Sequence, residues 1–131
     1  MSEYTKSNIS LIQHLNGLNI IATIYIFNKH DFYLALPHFN VCVSSFIFWS
    51  EPKNKIMKII DYVTVFISLG HTYIHSFMYK RDYYITPLLM LVIYCFILSM
   101  HYKNTNRQDL CILMHTITYL IGNVGTVMTF S

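Results

Sequence analysis

The chain has 131 residues, of which 54% are hydrophobic and only 11% are charged. A soluble domain carries about 25% charged residues, so this sequence has too little charge to cover a soluble surface. Its formal net charge of +3 is small and scattered along the chain, which argues against nucleic-acid binding. The composition predicts an integral membrane protein with a single membrane domain over residues 1–131, in contact with lipid.

Five apolar segments follow one another along the chain, separated by short polar links. The first segment is interrupted by His14, Asn16 and Asn19, which favours an amphipathic or tightly packed helix. The fifth contains Gly122 and Gly125, and small residues of this kind suit close packing between helices. The predicted segments are residues 9–27, 32–49, 56–79, 83–101 and 110–130.

The pattern of these segments predicts helices rather than strands. Residues 56–79 form the longest segment and are long enough to cross a bilayer with some tilt. The alternation of apolar and polar residues that is typical of membrane β-barrels does not occur. Because only helices and closed barrels satisfy the backbone in lipid, we expect an all-α fold. The prediction is a polytopic transmembrane helical bundle with about four to five spans.

Positive charges are divided unevenly between the two ends of such a bundle. With five spans, six Lys and Arg residues fall at one end and three at the other. Inner loops of membrane proteins are enriched in Lys and Arg, so the end with six is predicted to face inward. The first end carries Lys6, Lys53, Lys55, Lys58, Lys103 and Arg107, and the second carries Lys29, Lys80 and Arg81.

Ionisable side chains inside apolar segments are costly in a membrane and therefore mark candidate functional sites. His71 and His75 are four residues apart, so they face the same way on a helix. Neutral imidazole is a good ligand for haem iron or zinc. The alternative for His14, His71 and His75 is a hydrogen bond between helices, for His38 a position at the membrane interface, and for His115 packing. For Asp61 the alternative is a favourable place near a helix N-terminus. The candidates are His14, His38, Asp61, His71, His75 and His115.

The most informative stretch runs from His71 to Tyr83. Eleven residues separate His71 from Asp82, which on one continuous helix is close to three turns. Both side chains would then lie on nearly one helix face, about 16 Å apart. We expect one polar group near the middle of the membrane and another at its surface. That arrangement suits a buried cofactor below a small-molecule pocket at the interface.

This stretch resembles the signature of the small membrane-anchor subunit of succinate dehydrogenase (respiratory complex II), in a divergent form. The similarity covers about residues 58–100. It rests on the spacing from His71 to the pair Asp82-Tyr83, and on the apolar residues before and after them. A second imidazole, His75, stands where that family often has glycine.

The resemblance implies roles for individual residues. His71 is the axial ligand of haem b iron, with His75 as a second candidate at the cofactor. Tyr83 donates a hydrogen bond to a ubiquinone carbonyl, and Asp82 helps to order the ubiquinone pocket. The chain itself is then a non-catalytic anchor in the mitochondrial inner membrane. Its implied partners are a second membrane-anchor subunit, an iron–sulfur subunit and a flavoprotein subunit.

Two other functions fit the same sequence. One is a cofactor-free structural membrane subunit of a large respiratory or viral assembly, which agrees with the short polar links. The other is an intramembrane metal-dependent hydrolase. Its polar residues would be Ser44 or Ser45, Asp61, and His71 or His75.

Overall fold

The computed structural model describes residues 5–131, and in this range the chain forms five α-helices and no β-strand. The predicted all-α membrane bundle is confirmed, because four of the helices (α1, α2, α4 and α5) are long and apolar enough to cross a membrane. The predicted segments agree with the helices to within a few residues at each end. The helices are α1 Lys6–Lys29, α2 Phe32–Ser50, α3 Lys55–Met78, α4 Asp82–Asn104 and α5 Gln108–Phe130.

Polar residues in the links start and stop these helices. Thr5, Asp31 and Asn54 precede α1, α2 and α3, and each side chain accepts a hydrogen bond from a backbone N–H in the first turn. These bonds satisfy donors that a helix leaves unpaired at its start. Lys80 and Asn106 have a φ of 57° in the links that follow α3 and α4, a left-handed conformation that ends a helix. Consecutive helices are therefore joined by tight turns and run antiparallel.

The five helices form a closed ring in chain order. Each packs against its neighbours in sequence, α1 also packs against α5, and α3 reaches α5 across the ring. The most extensive contacts join α1 to α2 and α4 to α5, whereas α3 packs less extensively against α4 and α5. We call the end at which α3 begins, at Lys55, the lysine end, and the end at which α3 stops, at Met78, the opposite end.

The third helix has its polar face inside the bundle and its apolar face outside. Its buried side chains are all polar, namely Asp61, Ser68, Thr72 and Ser76. An amphipathic helix of a water-soluble protein is oriented the other way round. Because it carries these and other polar residues, α3 is less apolar along its length than the four candidate spans, and it is not among them. Its exposed apolar side chains include Ile56, Ile59, Val63, Phe66, Ile67, Ile74 and Phe77.

Apolar packing concentrates at the two ends of the bundle. One cluster, Ile12, Phe48, Trp49 and Ile112, lies toward the lysine end, and the other, Ile26, Ala35 and Phe130, lies toward the opposite end. Between these clusters the interior holds polar side chains such as Asp61 and Ser68 beside apolar ones such as Val41 and Val92.

Neither glycine of α5 lies at a helix contact so close that a side chain would be excluded. A Cβ placed on Gly125 would meet Leu88 Cδ1 of α4 at 4.0 Å, an ordinary contact distance. A Cβ on Gly122 would meet nothing within 4 Å, and this residue lines a cavity between the helices.

Candidate functional site: a polar cavity inside the bundle

A partly open cavity of about 100 Å³ lies among the helices, and all five contribute to its wall. Its polar lining includes Asn19 of α1, Ser45 of α2, Asp61 of α3, Lys103 of α4 and Tyr119 of α5. A polar cavity of this volume has room for several water molecules. Apolar side chains complete the wall, among them Val41, Phe48, Val65, Val92 and Phe96.

Asp61 is the centre of a hydrogen-bonded cluster on this wall. Its side chain is 6% exposed. Oδ1 accepts hydrogen bonds from Ser45 Oγ at 2.7 Å and from Ser44 Oγ at 3.1 Å. The hydroxyls of Ser44 and Thr64 lie 2.6 Å apart, and Thr64 Oγ1 donates to the backbone oxygen of Asp61. Asp61 therefore points into the bundle towards α2, not to the membrane surface.

The reason for this arrangement is electrostatic. A carboxylate that leaves water needs hydrogen-bond donors, because burying an unpaired charge is very costly. Two adjacent serines near the end of α2 supply those donors from the helix that packs beside α3. Hydrogen bonds to charged groups are stronger than those between neutral groups.

The fifth helix brings His115 and Tyr119, one turn apart, to the same cavity. The Tyr119 side chain is within hydrogen-bonding reach of Ser45 and Trp49. The ring of His115 packs edge-on against Trp49, with centroids 5.5 Å apart and planes at 89°. Tyr119 had no predicted role, although its four-residue spacing from His115 is a signal that both face the same way.

A second polar cluster, which we call the histidine cluster, consists of His38, Ser68, His71 and His75. His38 Nδ1 and Ser68 Oγ are 2.8 Å apart. The ring centroids of His38 and His71 are 5.5 Å apart, and those of His71 and His75 are 4.3 Å apart. Over residues 5–131, three buried side-chain atoms have no hydrogen-bond partner, and two of them are His38 Nε2 and His71 Nδ1.

Phe130, the last residue of α5, fills the space beside the histidine cluster. It is 1% exposed. Its ring is stacked on His71 at 5.6 Å and 21°, and lies 5.7 Å from His38 and 5.3 Å from His75. Haem ligation by His71 on this face would therefore require Phe130 to move.

The structure separates Asp82 and Tyr83 from the histidines. Because α3 ends at Met78 and Asp82 is the first residue of α4, the prediction that His71 and Asp82 share one helix face is wrong. His71 is seven residues before the end of α3, about 10 Å along the axis, so it lies between the middle of that helix and its C-terminal end. Tyr83 is 77% exposed and packs edge-on against Tyr84 at 4.8 Å.

The residues predicted for a hydrolase are brought together only in part. Ser44 and Ser45 contact Asp61. His71 and His75 follow Asp61 by ten and fourteen residues on the same helix, about 15 and 21 Å along its axis. Neither histidine is therefore beside Asp61. On the part of the cavity wall toward the lysine end, the imidazole that accompanies Asp61 and Ser45 is that of His115.

Between residues 5 and 131, no group of three or more His, Cys, Asp or Glu side chains is placed to hold a metal ion. His75 Nδ1 donates to the backbone oxygen of His71 at 2.9 Å, which leaves Nε2 as the nitrogen of that ring with a free lone pair. His14 is exposed and contacts Ser10 in its own helix, away from the cavity.

No family model matches this sequence, and comparisons with curated proteins and with solved structures give no significant match.

Proposed function

We propose that this integral membrane protein binds the polar group of an amphipathic small molecule in its central cavity. The observation that carries the proposal is Asp61, a buried carboxylate on the cavity wall that is hydrogen-bonded to two serines. Intramembrane ionisable residues mark substrate sites by default. Enclosed pockets with a few convergent polar groups are the usual form of a small-molecule site.

The lining of the cavity favours one chemical class of ligand. An ionised carboxylate only accepts hydrogen bonds, so the group that faces Asp61 is a hydroxyl or an amine. Phe48, Val92 and Phe96 on the same wall suit an apolar chain or ring. An alcohol or amine with a hydrophobic tail meets both requirements.

The seam between α3 and α4 supports entry of this ligand from the bilayer. These helices pack against each other less extensively than α4 and α5 do. Phe96 of α4 lies edge-on against Tyr62 at 5.2 Å and Phe66 at 6.0 Å. Tyr62 and Phe96 line the cavity, while Phe66 is 54% exposed on the outer surface. Three aromatic rings therefore lie along this seam, from the cavity wall to the outer surface.

The experiment is to purify the protein in a mild detergent and identify bound small molecules by mass spectrometry. We expect an amphipathic alcohol or amine in the wild type, and its loss in Asp61→Asn and in Ser45→Ala. Asp109→Asn is the matched control, since Asp109 is exposed in the first turn of α5. Equal retention in Asp61→Asn and Asp109→Asn would refute the proposal, as would the absence of any bound molecule in the wild type.

A second candidate function is hydrolysis of an ester or amide bond in the bound molecule. The 2.7 Å hydrogen bond from Ser45 Oγ to Asp61 Oδ1 favours it, because a carboxylate so placed can take the proton of an attacking hydroxyl or water. Release of fatty acid from a membrane lipid extract tests it. Activity that survives Ser45→Ala and Asp61→Asn would exclude these residues. The metal-dependent form of this hydrolase stays a prediction.

The role of a divergent succinate dehydrogenase membrane anchor in the mitochondrial inner membrane also stays a prediction. So do haem b at His71, with His75 as second candidate, and ubiquinone at Asp82 and Tyr83. An optical spectrum of the purified complex tests the haem ligand, since a b-type band should be present and should be lost in His71→Ala. Co-purification of a flavoprotein and an iron–sulfur protein would support the anchor role. Co-purification with a larger assembly that holds no cofactor would support the alternative role as a structural membrane subunit.

A further inference from the structure

The histidine cluster lies between the cavity and the surface at the opposite end of the bundle. His38 and Ser68 line the cavity. His75 is half-buried and stands three residues before the end of α3. Tyr79, which caps α3, is 37% exposed and its ring centroid is 6.0 Å from that of His75. Polar side chains thus follow one another from the surface to the cavity wall.

Two nitrogens in the middle of this series lack partners. His38 Nε2 and His71 Nδ1 are buried and make no hydrogen bond, although their rings are only 5.5 Å apart. Buried polar atoms nearly always have a partner, and an exception calls for an explanation such as a water molecule. One water between these nitrogens, or a small rotation of either ring, would join them.

We propose that His75, His71, His38 and Ser68 form a proton path between the surface at the opposite end and Asp61. Chains of His and Asp inside membrane bundles are typical proton relays. The path goes beyond the proposed function but uses the same cavity, so it operates when water occupies the space between Ser68 and Asp61.

The steps of the path transfer one proton at a time. His75 Nδ1 donates to a carbonyl oxygen, so an incoming proton is taken at Nε2, and the same nitrogen passes it to Nε2 of His71. His71 then releases its Nδ1 proton to His38 Nε2. A neutral imidazole has one protonated and one unprotonated nitrogen, so His38 releases its own Nδ1 proton to the oxygen of Ser68, 2.8 Å away, while the Ser68 hydroxyl passes its proton to water in the cavity.

Water in the cavity completes the connection. Ser68 and Asp61 are seven residues apart on α3, about 10 Å along its axis, and both line the cavity. Its volume of about 100 Å³ holds enough water to bridge that distance. The last step places the proton on the Asp61 carboxylate, and the reverse sequence removes it.

Other polar groups face the path at both of its ends. The α1–α2 link contributes His30, whose Nε2 contacts the backbone oxygen of Phe130 at 2.8 Å. The α3–α4 link contributes Arg81, whose guanidinium donates to the backbone oxygens of Met128 and Thr129. From α5, Phe130 faces the histidines and does not titrate. The titratable side chains that share the cavity with Asp61 are Lys103 of α4 and His115 and Tyr119 of α5.

The test measures how fast the carboxyl proton of Asp61 exchanges with solvent. Infrared spectroscopy of the protein in lipid follows the carbonyl band of a protonated carboxyl, which Asp61→Asn identifies by removing it. After transfer to heavy water, the shift of this band reports exchange. We expect His38→Gln and His71→Gln each to slow exchange by about tenfold, or about 1.4 kcal/mol on the barrier. Misfolding would expose Asp61 and speed exchange, so it cannot imitate this result.

Two variants serve as controls and are expected to exchange at the wild-type rate, namely His14→Gln and His101→Gln, which change exposed histidines. A third variant, His115→Gln, changes the cavity wall toward the lysine end and tests a route from that end. Wild-type exchange in both His38→Gln and His71→Gln would overturn the proposal. Slowing in His115→Gln alone would also overturn it, because the path would then run to the lysine end. A spectrum with no band that depends on Asp61 at any pH would overturn it as well.

Discussion

At the scale of single residues, the stability of the polar interior depends on the hydrogen bonds that Asp61 accepts. Ser44 and Ser45 are adjacent in sequence, yet both hydroxyls reach the same carboxylate oxygen. Ser45 is 2% exposed and makes the shorter bond. Removing its hydroxyl leaves Asp61 with one donor fewer in a place that bulk water does not reach.

We therefore expect Ser45→Ala to lower the free energy of unfolding by about 1.5–3 kcal/mol, the usual contribution of a hydrogen bond to a charged group. Denaturant titration of the protein in detergent micelles measures it. Ser50→Ala is the matched control, because Ser50 is an exposed serine on the same helix and a surface change there is worth about 0.5 kcal/mol or less. A similar loss in both variants would contradict the special role of Ser45.

At the scale of elements, α3 carries Asp61 and the histidines His71 and His75, and its surface is sharply divided into a buried polar face and an exposed apolar face. Asp61, Ser68, Thr72 and Ser76 are buried, while the facing-out side chains are large and apolar. This division is stable only if the outer face meets lipid, because in water the exposed apolar groups would be costly. Phe96 of α4 packs against the outer edge of this helix and closes the seam to the cavity.

The outer face of α3 is tested by a charge placed at its middle. Ile67 is 58% exposed near the middle of α3, and Ile56 is 70% exposed in its first turn. We expect Ile67→Asp to cost about 2.5–3.5 kcal/mol in membrane insertion, and Ile56→Asp to cost less because it lies near the end of the helix. A glycosylation-based insertion assay compares the two. Equal insertion would show that this face does not meet lipid.

The seam between α3 and α4, where the rings of Tyr62, Phe66 and Phe96 meet, is tested by removing one of these rings. Phe96→Ala removes the ring that packs against Tyr62 and Phe66, so a bound molecule should exchange with the detergent or lipid phase faster, by about tenfold for each 1.4 kcal/mol taken off the barrier. Pulse labelling followed by mass spectrometry measures the rate. Phe46→Ala, at an exposed phenylalanine of α2, is expected to leave the rate unchanged. An unchanged rate in Phe96→Ala would place the entry elsewhere.

At the scale of the whole molecule, the ring of five antiparallel helices makes α3 part of a continuous bundle. If α3 crosses the membrane together with the other four helices, the α2–α3 and α3–α4 links lie on opposite sides. The charge distribution, with six Lys and Arg against three, then puts the lysine end inside.

Cysteines introduced in these links test the topology. The three native cysteines are buried and should react slowly. We expect a membrane-impermeant thiol reagent to label Lys80→Cys from outside sealed cells, and Lys53→Cys only after the membrane is opened. Labelling of both variants from the same side would mean that α3 does not cross.

Much of the fold could be predicted from the sequence because the signals involved are local. Runs of apolar residues, and capping residues such as Asp31 and Asn54 in the links, set the five helices within a few residues of their observed bounds. Asp61, His38 and His115 could also be identified as candidates, since an ionisable residue in an apolar run stands out without any knowledge of packing.

The spacing from His71 to Asp82 shows where local reasoning failed. Eleven residues describe three turns only if the helix continues. Tyr79 caps α3 and Lys80 takes a left-handed conformation, so Asp82 begins a new helix. The polar run of Lys80, Arg81 and Asp82 is a local sign of this turn, whereas the eleven-residue spacing alone carries no information about where the helix ends.

The sequence by itself determined that this protein is a bundle of membrane helices, because hydropathy and length along one segment decide whether that segment is a span. Only the tertiary structure decided which polar residues meet. Asp61 joins Ser45 and shares its cavity with Tyr119, and His71 joins His38 and Phe130. These pairings depend on the rotation of each helix about its axis and on the closing of the ring, which are properties of several helices packed together.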